Sequence, residues 1–330
     1  MTEGAGRPMC GESADRAERP LVSVVVPCYN GSRTIREALG SLTAQDITSP
    51  YEVIVVDSSS DGTDKIIREE FPAVDLVHRE VKTLVGAARN LGLQRARGDI
   101  VAFFDADCVA DPGWLRYLAN AHGIDVAAVG GSVANGNPGS LVGWASFLIE
   151  FSRLAPSSPR RLVSDIVGCN SSYKRWVFKR YGLYHEGDYG AEDVLFNRWL
   201  ILAGERLLFE PRALIHHQNR EGLGDFLRHM RHVGEGMGMV RLLDGMPHAY
   251  LASSLWLAAA AFPYRVGRIA WRALRRHPRD AWRLPLVMPL VAAGFLAFSL
   301  GELGARRRAV QRRAGAVRSS TAASRQRSDS

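Results

Sequence analysis

Apolar and polar positions fall into blocks along the first 135 residues. Unbroken apolar runs at 21–27 ("LVSVVVP"), 51–57 ("YEVIVVD") and 100–104 ("IVAFF") are separated by stretches whose apolar residues recur at helical spacing. A short apolar run bounded by turn formers reads as a strand buried on both faces. Segments 34–45 and 86–98 read as helices, the second stopped by Gly98, and another strand is expected near 73–80. This strand–helix alternation predicts an α/β fold, a Rossmann-like, mostly parallel sheet with helices on both faces. Ligands of such sheets bind beyond the carboxyl ends of the strands. Asn30, Asp57 and Asp105 lie at or just past three of those ends.

Beyond residue 136 the pattern loosens. An apolar, aromatic helix is expected at 140–154 and another at 192–204, which opens on Glu192 and Asp193 and stops at Gly204. From about 245 the character changes again. Residues 245–264 and 284–301 contain no Asp, Glu, Lys or Arg, and each approaches the ~20 residues of a bilayer span, although prolines interrupt both. Between them, seven arginines in 265–283 share one helical arc, with Val266, Ile269, Ala270, Ala273 and Leu274 outside it. That is a basic amphipathic helix, bent at Pro278, with Trp271 and Trp282 placed like interfacial aromatics. Two spans, a shallow re-entrant hairpin among anionic headgroups, or a soluble bundle with a solvated basic face all fit this pattern.

Charge sharpens the contrast. The chain carries +8 overall, but residues 265–330 hold 15 Arg against three acids, a net +12, which leaves the rest at −4. The basic part is expected to meet polyanions, and its interleaving with apolar stretches favours lipid headgroups over nucleic acid. Cys10, Cys28, Cys108 and Cys169 show no C-x-x-C spacing, so neither a zinc site nor a disulfide framework is expected, and a reducing compartment fits. No apolar stretch follows the N-terminus, so no signal peptide is expected. No G-x-G-x-x-G follows the first strand, which argues against NAD chemistry.

The chemistry concentrates at the end of the 100–104 run, where "DAD" places Asp105 and Asp107 two residues apart. Two like charges aimed at one small volume repel unless something positive lies beside them. A hard divalent cation bridging to phosphate answers that need, since Mg²⁺ and Mn²⁺ take oxygen ligands. Alone, D-x-D is also compatible with a solvated loop or with a haloacid-dehalogenase-type phosphatase.

The ordered set of motifs narrows the choice. "VSVVVPCYNG", "VIVVDSSSDGT", "GAARNLGLQRARGDIVAFFDADC", "CNSSYKRWVF", "GAEDVLFNRWLILAG" and "PRALIHH" together resemble the family 2 glycosyltransferases, inverting enzymes of the GT-A fold, over about 21–220. The resemblance implies a nucleotide-sugar-binding half at 20–135 and an acceptor half at 136–245. A disordered N-terminus (1–19), a membrane-associated helical segment (246–304) and a basic disordered tail (305–330) complete the expected organisation.

The resemblance also implies roles for single residues. Tyr29 would stack on the nucleobase, Pro27 and Asn30 would shape the turn beneath it, and Asp57 would accept from the base. Arg89 would help hold the nucleotide, Asp105 would contact ribose or metal-bound water, and Asp107 would ligate Mg²⁺ or Mn²⁺. His217 would stand near the metal and diphosphate; strand alternation puts it on the face of Ala213 and Ile215. Asp193 would be the general base, with Asp188 as fallback, and the helix dipole at Asp193 predicts a depressed pKa. Asp57 can equally cap its turn, Arg89 can be a surface arginine, and His217 can be a core histidine.

The expected activity is therefore inverting sugar transfer from a nucleoside-diphosphate donor. A lipid or lipid-linked glycan is the expected acceptor, at the cell membrane with the catalytic part on the cytoplasmic side. The alternative within the same fold is a non-catalytic nucleotide-sugar-binding scaffold of an envelope glycan assembly complex. No Q-x-x-R-W signature of processive relatives is present; "FLRHMRHVGEG" occupies its region, so addition of one or a few sugars is expected.

Overall fold

The structure, a computed structural model, describes residues 19–187, 190–243 and 255–305. Asp188, Cys10, residues 244–254 and, except for Arg19 and Ala305, the termini expected to be disordered (1–19 and 305–330) lie outside the described residues; Ala305 is the last residue of a helix.

Four parallel strands form one half of a nine-stranded sheet in the order β3-β2-β1-β4: Val22–Cys28 (β1), Tyr51–Asp57 (β2), Asp75–His78 (β3) and Ile100–Phe104 (β4). Helices Ile35–Thr43 (α1), Thr63–Glu70 (α2) and Val85–Arg95 (α3) connect them. The apolar runs are continuous because both faces are covered. Ile100, Ala102 and Phe104 of β4 enter one core with Val24, Leu39 and Trp114, while Val101 and Phe103 enter the other with Val25, Tyr173 and Phe196. Full burial of each such phenylalanine contributes about 1.5–3 kcal/mol. Helix α3 lies directly on β1 at Gly92, where a Cβ would come within 2.3 Å of a Val25 methyl.

The second half is mixed. It comprises Cys108–Ala110 (β5), Trp114–Ala121 (α4), Ala128–Asn135 (β6), Leu141–Phe151 (α5), Arg161–Val163 (β7), Asn170–Lys174 (β8), Arg175–Tyr181 (α6), Glu192–Leu202 (α7) and Leu207–His217 (β9). Strand β8 inserts antiparallel between β4 and β6, β6 runs parallel to β9, and β5 and β7 pair antiparallel with β9. Pro211, which cannot donate to a ladder, sits where the β6–β9 register slips between Gly131 and Ser132. The bulge is fastened by Ser132, whose hydroxyl donates to the Pro211 carbonyl (2.6 Å), and by Asn170, whose amide donates to the Ala213 carbonyl (3.0 Å). Past it, the register sets His217 opposite Cys108 of β5.

Three helices close the described chain: Leu223–Leu243 (α8), Leu255–Arg276 (α9) and Pro278–Ala305 (α10), whose first six residues are a 3-10 turn. The amphipathic helix expected at 265–283 thus ends at Arg276, before Pro278. Its arginines are not all on an open face: Arg265 is buried, with Nη1 2.8 Å from Glu302 Oε2, and Arg241 of α8 pairs with the other oxygen of Glu302. Leu274, expected on the apolar side, is exposed, while Ile269 and Ala273 are buried as expected. Helices α8 and α10 touch backbone to backbone. A Cβ on Gly234 would meet the Phe298 carbonyl at 2.0 Å, and one on Gly301 the Arg231 carbonyl at 2.0 Å. Helix α10 is, by length and composition, the one described helix apolar enough to cross a membrane, with its Val287–Val291 side buried in the protein.

Candidate active site

A cleft of about 1220 Å³ opens at the carboxyl ends of β1 and β4 and is walled opposite by α8. Pro27, Tyr29 and Asn30 form one rim, Asp105 and Asp107 the floor, and Lys82 a flank.

The rim turn is tied from below. Asn30 takes a left-handed conformation (φ 53°), which asparagine tolerates better than most residues. Its side-chain oxygen accepts from the Ser60 N–H (3.1 Å), and its own N–H donates to Ser59 Oγ (2.7 Å). The Ser59 hydroxyl in turn donates to Asp57 Oδ1, while His78 Nδ1 lies 2.8 Å from Asp57 Oδ2. Asp57 is thus wholly buried with both oxygens engaged, and it is not among the residues on the cleft wall. Tyr29 faces outward, 47% exposed, with Lys82 Nζ 4.5 Å from its ring centre. The ammonium holds one face of the ring by a cation–π contact.

Arg89 lies behind the floor, 3% exposed. Its guanidinium donates from Nη1 to Glu192 Oε1 (2.6 Å) and from Nη2 to Asp105 Oδ1 (3.3 Å). A methyl on Gly168 would come within 2.5 Å of Nη2, so glycine makes room for the fork. Burial works against the Arg89 charge, but Glu192 and Asp105 outweigh it and hold its pKa up. Burial raises the Asp105 and Glu192 carboxyls; Arg89 opposes both rises, and Asp107 adds to that of Asp105. The repulsion within D-x-D is therefore relieved in two directions. Asp105 leans on a buried guanidinium, and Asp107 turns to the cleft.

Asp107 meets the end of β9 there. The Gln218 N–H donates to the Asp107 carbonyl (2.8 Å), and His217 Nε2 stands 3.6 Å from Asp107 Oδ1. His217 shares the buried face of Ala213 and Ile215, as alternation predicts, and its ring lies against Phe151 at 4.7 Å between centres. Donor atoms of Asp107, Cys108 and His217 all fall within 4.8 Å of one another. His217 Nδ1 is buried without a hydrogen-bond partner. A carboxylate and an imidazole converging beside an open cleft fit a divalent ion that completes its shell with phosphate oxygens and water.

Asp193 sits in the first turn of α7. Its Oδ2 accepts from the Gly168 N–H (2.8 Å) and its Oδ1 from the Val194 N–H (2.8 Å). The depressed pKa expected from the helix dipole is not what the site produces. Burial raises the Asp193 carboxyl against the pull of Arg89 and the two backbone donors, with Asp165 adding to the rise. Tyr29, Asn30, Pro27, Asp105 and Asp107 thus share one cleft; Asp57, Arg89, His217 and Asp193 stand behind or beside it.

Sequence reasoning missed Lys82 and the cleft face of α8. Asp225, Arg228, His229 and His232 follow i, i+3, i+4, i+7 spacing, and all line the cleft. That spacing was visible in "DFLRHMRHVGEG"; the position of Lys82 over Tyr29 left no local signal.

Comparison with known proteins agrees with this geometry. The profile of "Glycosyl transferase family 2" matches residues 23–182. The glycosyltransferase AglE of Haloferax volcanii is 31% identical over 253 residues, covering 74% of this chain and 82% of AglE. The pre-mycofactocin glycosyltransferase of Mycobacterium tuberculosis is 32% identical over 221 residues, covering 62% of this chain and 44% of that protein. Poly-beta-1,6-N-acetyl-D-glucosamine synthase of Staphylococcus epidermidis is 29% identical, covering 58% of this chain and 48% of the synthase. The chain thus spans less than half the length of these last two relatives. Among solved structures, the mannosyltransferase PcManGT of Pyrobaculum calidifontis, in complex with GDP-Man and Mn²⁺, has the same fold, with a TM-score of 0.57 at 24% identity over 86% of this chain and 87% of that one. Motif order, fold and relatives converge: the chain is a glycosyltransferase and belongs to family 2, with a GT-A fold.

Proposed function

We propose that this enzyme transfers a sugar, with inversion, from a nucleoside-diphosphate donor to a lipid or lipid-linked glycan. The convergence of Asp107 and His217 on the cleft, 3.6 Å apart, carries this reading. Held by these two residues, Mg²⁺ or Mn²⁺ would supply Lewis-acid stabilisation to the departing phosphate. PcManGT, with GDP-Man and Mn²⁺ in its complex, supports both the donor class and the ion.

Tyr29 stacks on the nucleobase over the turn of Pro27 and Asn30. Asp57 braces that turn through Ser59 and reaches the base N–H by exchanging the Ser59 hydroxyl for it. Arg89 acts through Asp105, which it orients toward the ribose. As the acceptor oxygen bonds to the anomeric carbon, the carbon–oxygen bond to the diphosphate breaks and Asp193 takes the acceptor's proton. One base suffices, and no covalent enzyme intermediate is needed.

The membrane reading rests on α9 and α10. Tyr264, Trp271 and Trp282 are exposed beside Arg268, Arg275 and Arg283, and Trp256 is exposed earlier on α9, a combination suited to lying in an anionic interface. The close seating of α10 on α8 favours attachment in the plane over a lone span, with the catalytic half on the cytoplasmic side.

A thermal-shift screen of nucleotide sugars with and without Mn²⁺, followed by nucleotide release with lipid extract, tests the proposal. One donor is expected to raise the melting temperature with Mn²⁺, and release is expected to need lipid. No stabilisation by any donor, or release indifferent to divalent metal, overturns it.

A further inference from the structure

One half-buried charge has no place in the chemistry above. Glu150 lies near the end of α5, between the aromatic neighbours Phe147 and Phe151 on a helix that otherwise packs apolar side chains. An ion partly withdrawn from water there needs a partner and hydrogen bonds. Both of its oxygens are engaged. Oε1 accepts from the Ser146 hydroxyl (2.8 Å), and Oε2 lies 2.9 Å from His229 Nε2 of α8. Burial works to raise the Glu150 pKa, but His229 above all, then His217 and Ser146, hold it down to about 2. The carboxylate is thus ionised and acts only as an acceptor, so Nε2 of His229 carries a proton toward it, and Nδ1 is the nitrogen left for a ligand.

The other edge of His229 belongs to the cleft. Along the same face of α8, Arg228 is paired with Asp225, so part of its charge is answered locally. His229 is paired with a carboxylate behind the wall instead, which orients its ring while leaving its front to a ligand. His217 also helps to hold the Glu150 carboxyl down, so this one carboxylate lies near both His217 and the α8 wall. These two imidazoles bracket the place where the donor's phosphates lie in the reading above.

We propose that His229, oriented by Glu150, binds the donor's diphosphate from the α8 wall opposite Asp105 and Asp107 and stabilises the charge that gathers on it as the sugar departs. The inference rests on the donor class proposed above. When the bond from the anomeric carbon to the diphosphate breaks, the electron pair stays on the phosphate oxygen, and His229, bound as the imidazolium with Nε2 donating to Glu150, lends that oxygen a hydrogen bond from Nδ1. The acceptor's proton goes to Asp193, so His229 has no net proton to give. Glu150 touches no substrate and acts as a positioning residue.

The test titrates UDP, GDP and the matching monophosphates, each with Mn²⁺, into the full chain by calorimetry. The forms compared are the parent, His229→Gln, Glu150→Gln and the double variant. Loss of a hydrogen bond to a charged group predicts roughly 10- to 100-fold weaker binding of the preferred diphosphate to His229→Gln. Monophosphate affinity is expected to stay within twofold, as is the acceptor KM, while kcat falls. Glu150→Gln is expected to shift the same quantities less, and the double variant no further than His229→Gln alone, since the two act as one unit. Unchanged diphosphate affinity in a folded His229→Gln protein overturns the proposal, as do additive losses in the double variant. An equal loss for mono- and diphosphates does so too. Failure of the parent to bind any of these nucleotides sinks the donor assignment itself, a distinguishable result.

Discussion

Asp107 Oδ1 and His217 Nε2 face each other across 3.6 Å, too far for a hydrogen bond. Two ligands at right angles on a metal at 2.1 Å stand about 3 Å apart, so a small closing movement brings the pair to ligand separation. We expect Asp107→Asn to abolish the Mn²⁺-dependent part of donor stabilisation and His217→Gln to weaken it. Thermal melts with donor, across a manganese series, check this. An undiminished manganese effect in Asp107→Asn would place the ion elsewhere.

Asp193→Asn is expected to remove sugar transfer while nucleotide-sugar affinity stays within a few fold. Because burial raises the Asp193 carboxyl, the acid limb of kcat/KM should lie above the ordinary aspartate value of about 3.9. The ionised form is the active one, so the rate falls as pH drops through that raised value. Near-parent turnover of the variant would refute the role.

Arg89→Met leaves Asp105 and Glu192 without the guanidinium between them. Breaking a buried pair from one side destabilises by about 3–5 kcal/mol, and urea denaturation at neutral pH should show a loss of that order. Arg89→Lys keeps the charge but not the fork, so an intermediate loss is expected.

His122 offers a stability test away from the site. Its Nε2 lies 2.9 Å from Ser172 Oγ, and that hydroxyl donates to the Val129 carbonyl (3.2 Å), so His122 donates from Nε2 and is neutral. Burial, with Lys174 adding, lowers its pKa to about 3. The unfolded chain takes up this proton near pH 6.5 and the folded one only near 3. The stability contributed is therefore whole above 6.5 and erodes as pH falls, by up to about 1.4 kcal/mol per unit. His122→Asn should show a shallower fall between pH 6.5 and 4 in denaturant titrations.

Membrane attachment through α9 and the turn that opens α10 predicts binding to vesicles containing phosphatidylglycerol and weak binding to phosphatidylcholine alone. Each arginine near an anionic surface is worth about 1 kcal/mol. Replacing Arg275 and Arg279 by Gln should therefore weaken sedimentation with anionic vesicles markedly, and added salt should do the same. Equal binding to neutral vesicles would contradict the headgroup assignment.

The parallel half of the sheet was legible because its strands are buried on both faces, which forces unbroken apolar runs. Strand β8, "NSSYK", was not, because its polar residues are buried against partners far along the chain. Ser172, for instance, meets His122 and Val129. The site divides the same way. Asp107 and Tyr29 follow strand ends, which local pattern marks. The retreat of Arg89 from the cleft depends on Glu192, 103 residues away, and on the space left by Gly168. Asp57 was open to two readings, and its bond to Ser59 is the turn-bracing one. The Asp193 shift reversed because burial exceeds a helix-end effect worth only about 0.3–1 kcal/mol even in the first turn.

The glycine contacts between α8 and α10 make the terminal helix a structural member of the cleft rather than an appendage. A bilayer cannot claim α10 as a detached anchor without unroofing α8 and separating Glu302 from Arg241 and Arg265. Trimming the chain before residue 278 to gain solubility would therefore dismantle the wall that carries Arg228 and His229, and it would yield an inert protein rather than a soluble enzyme.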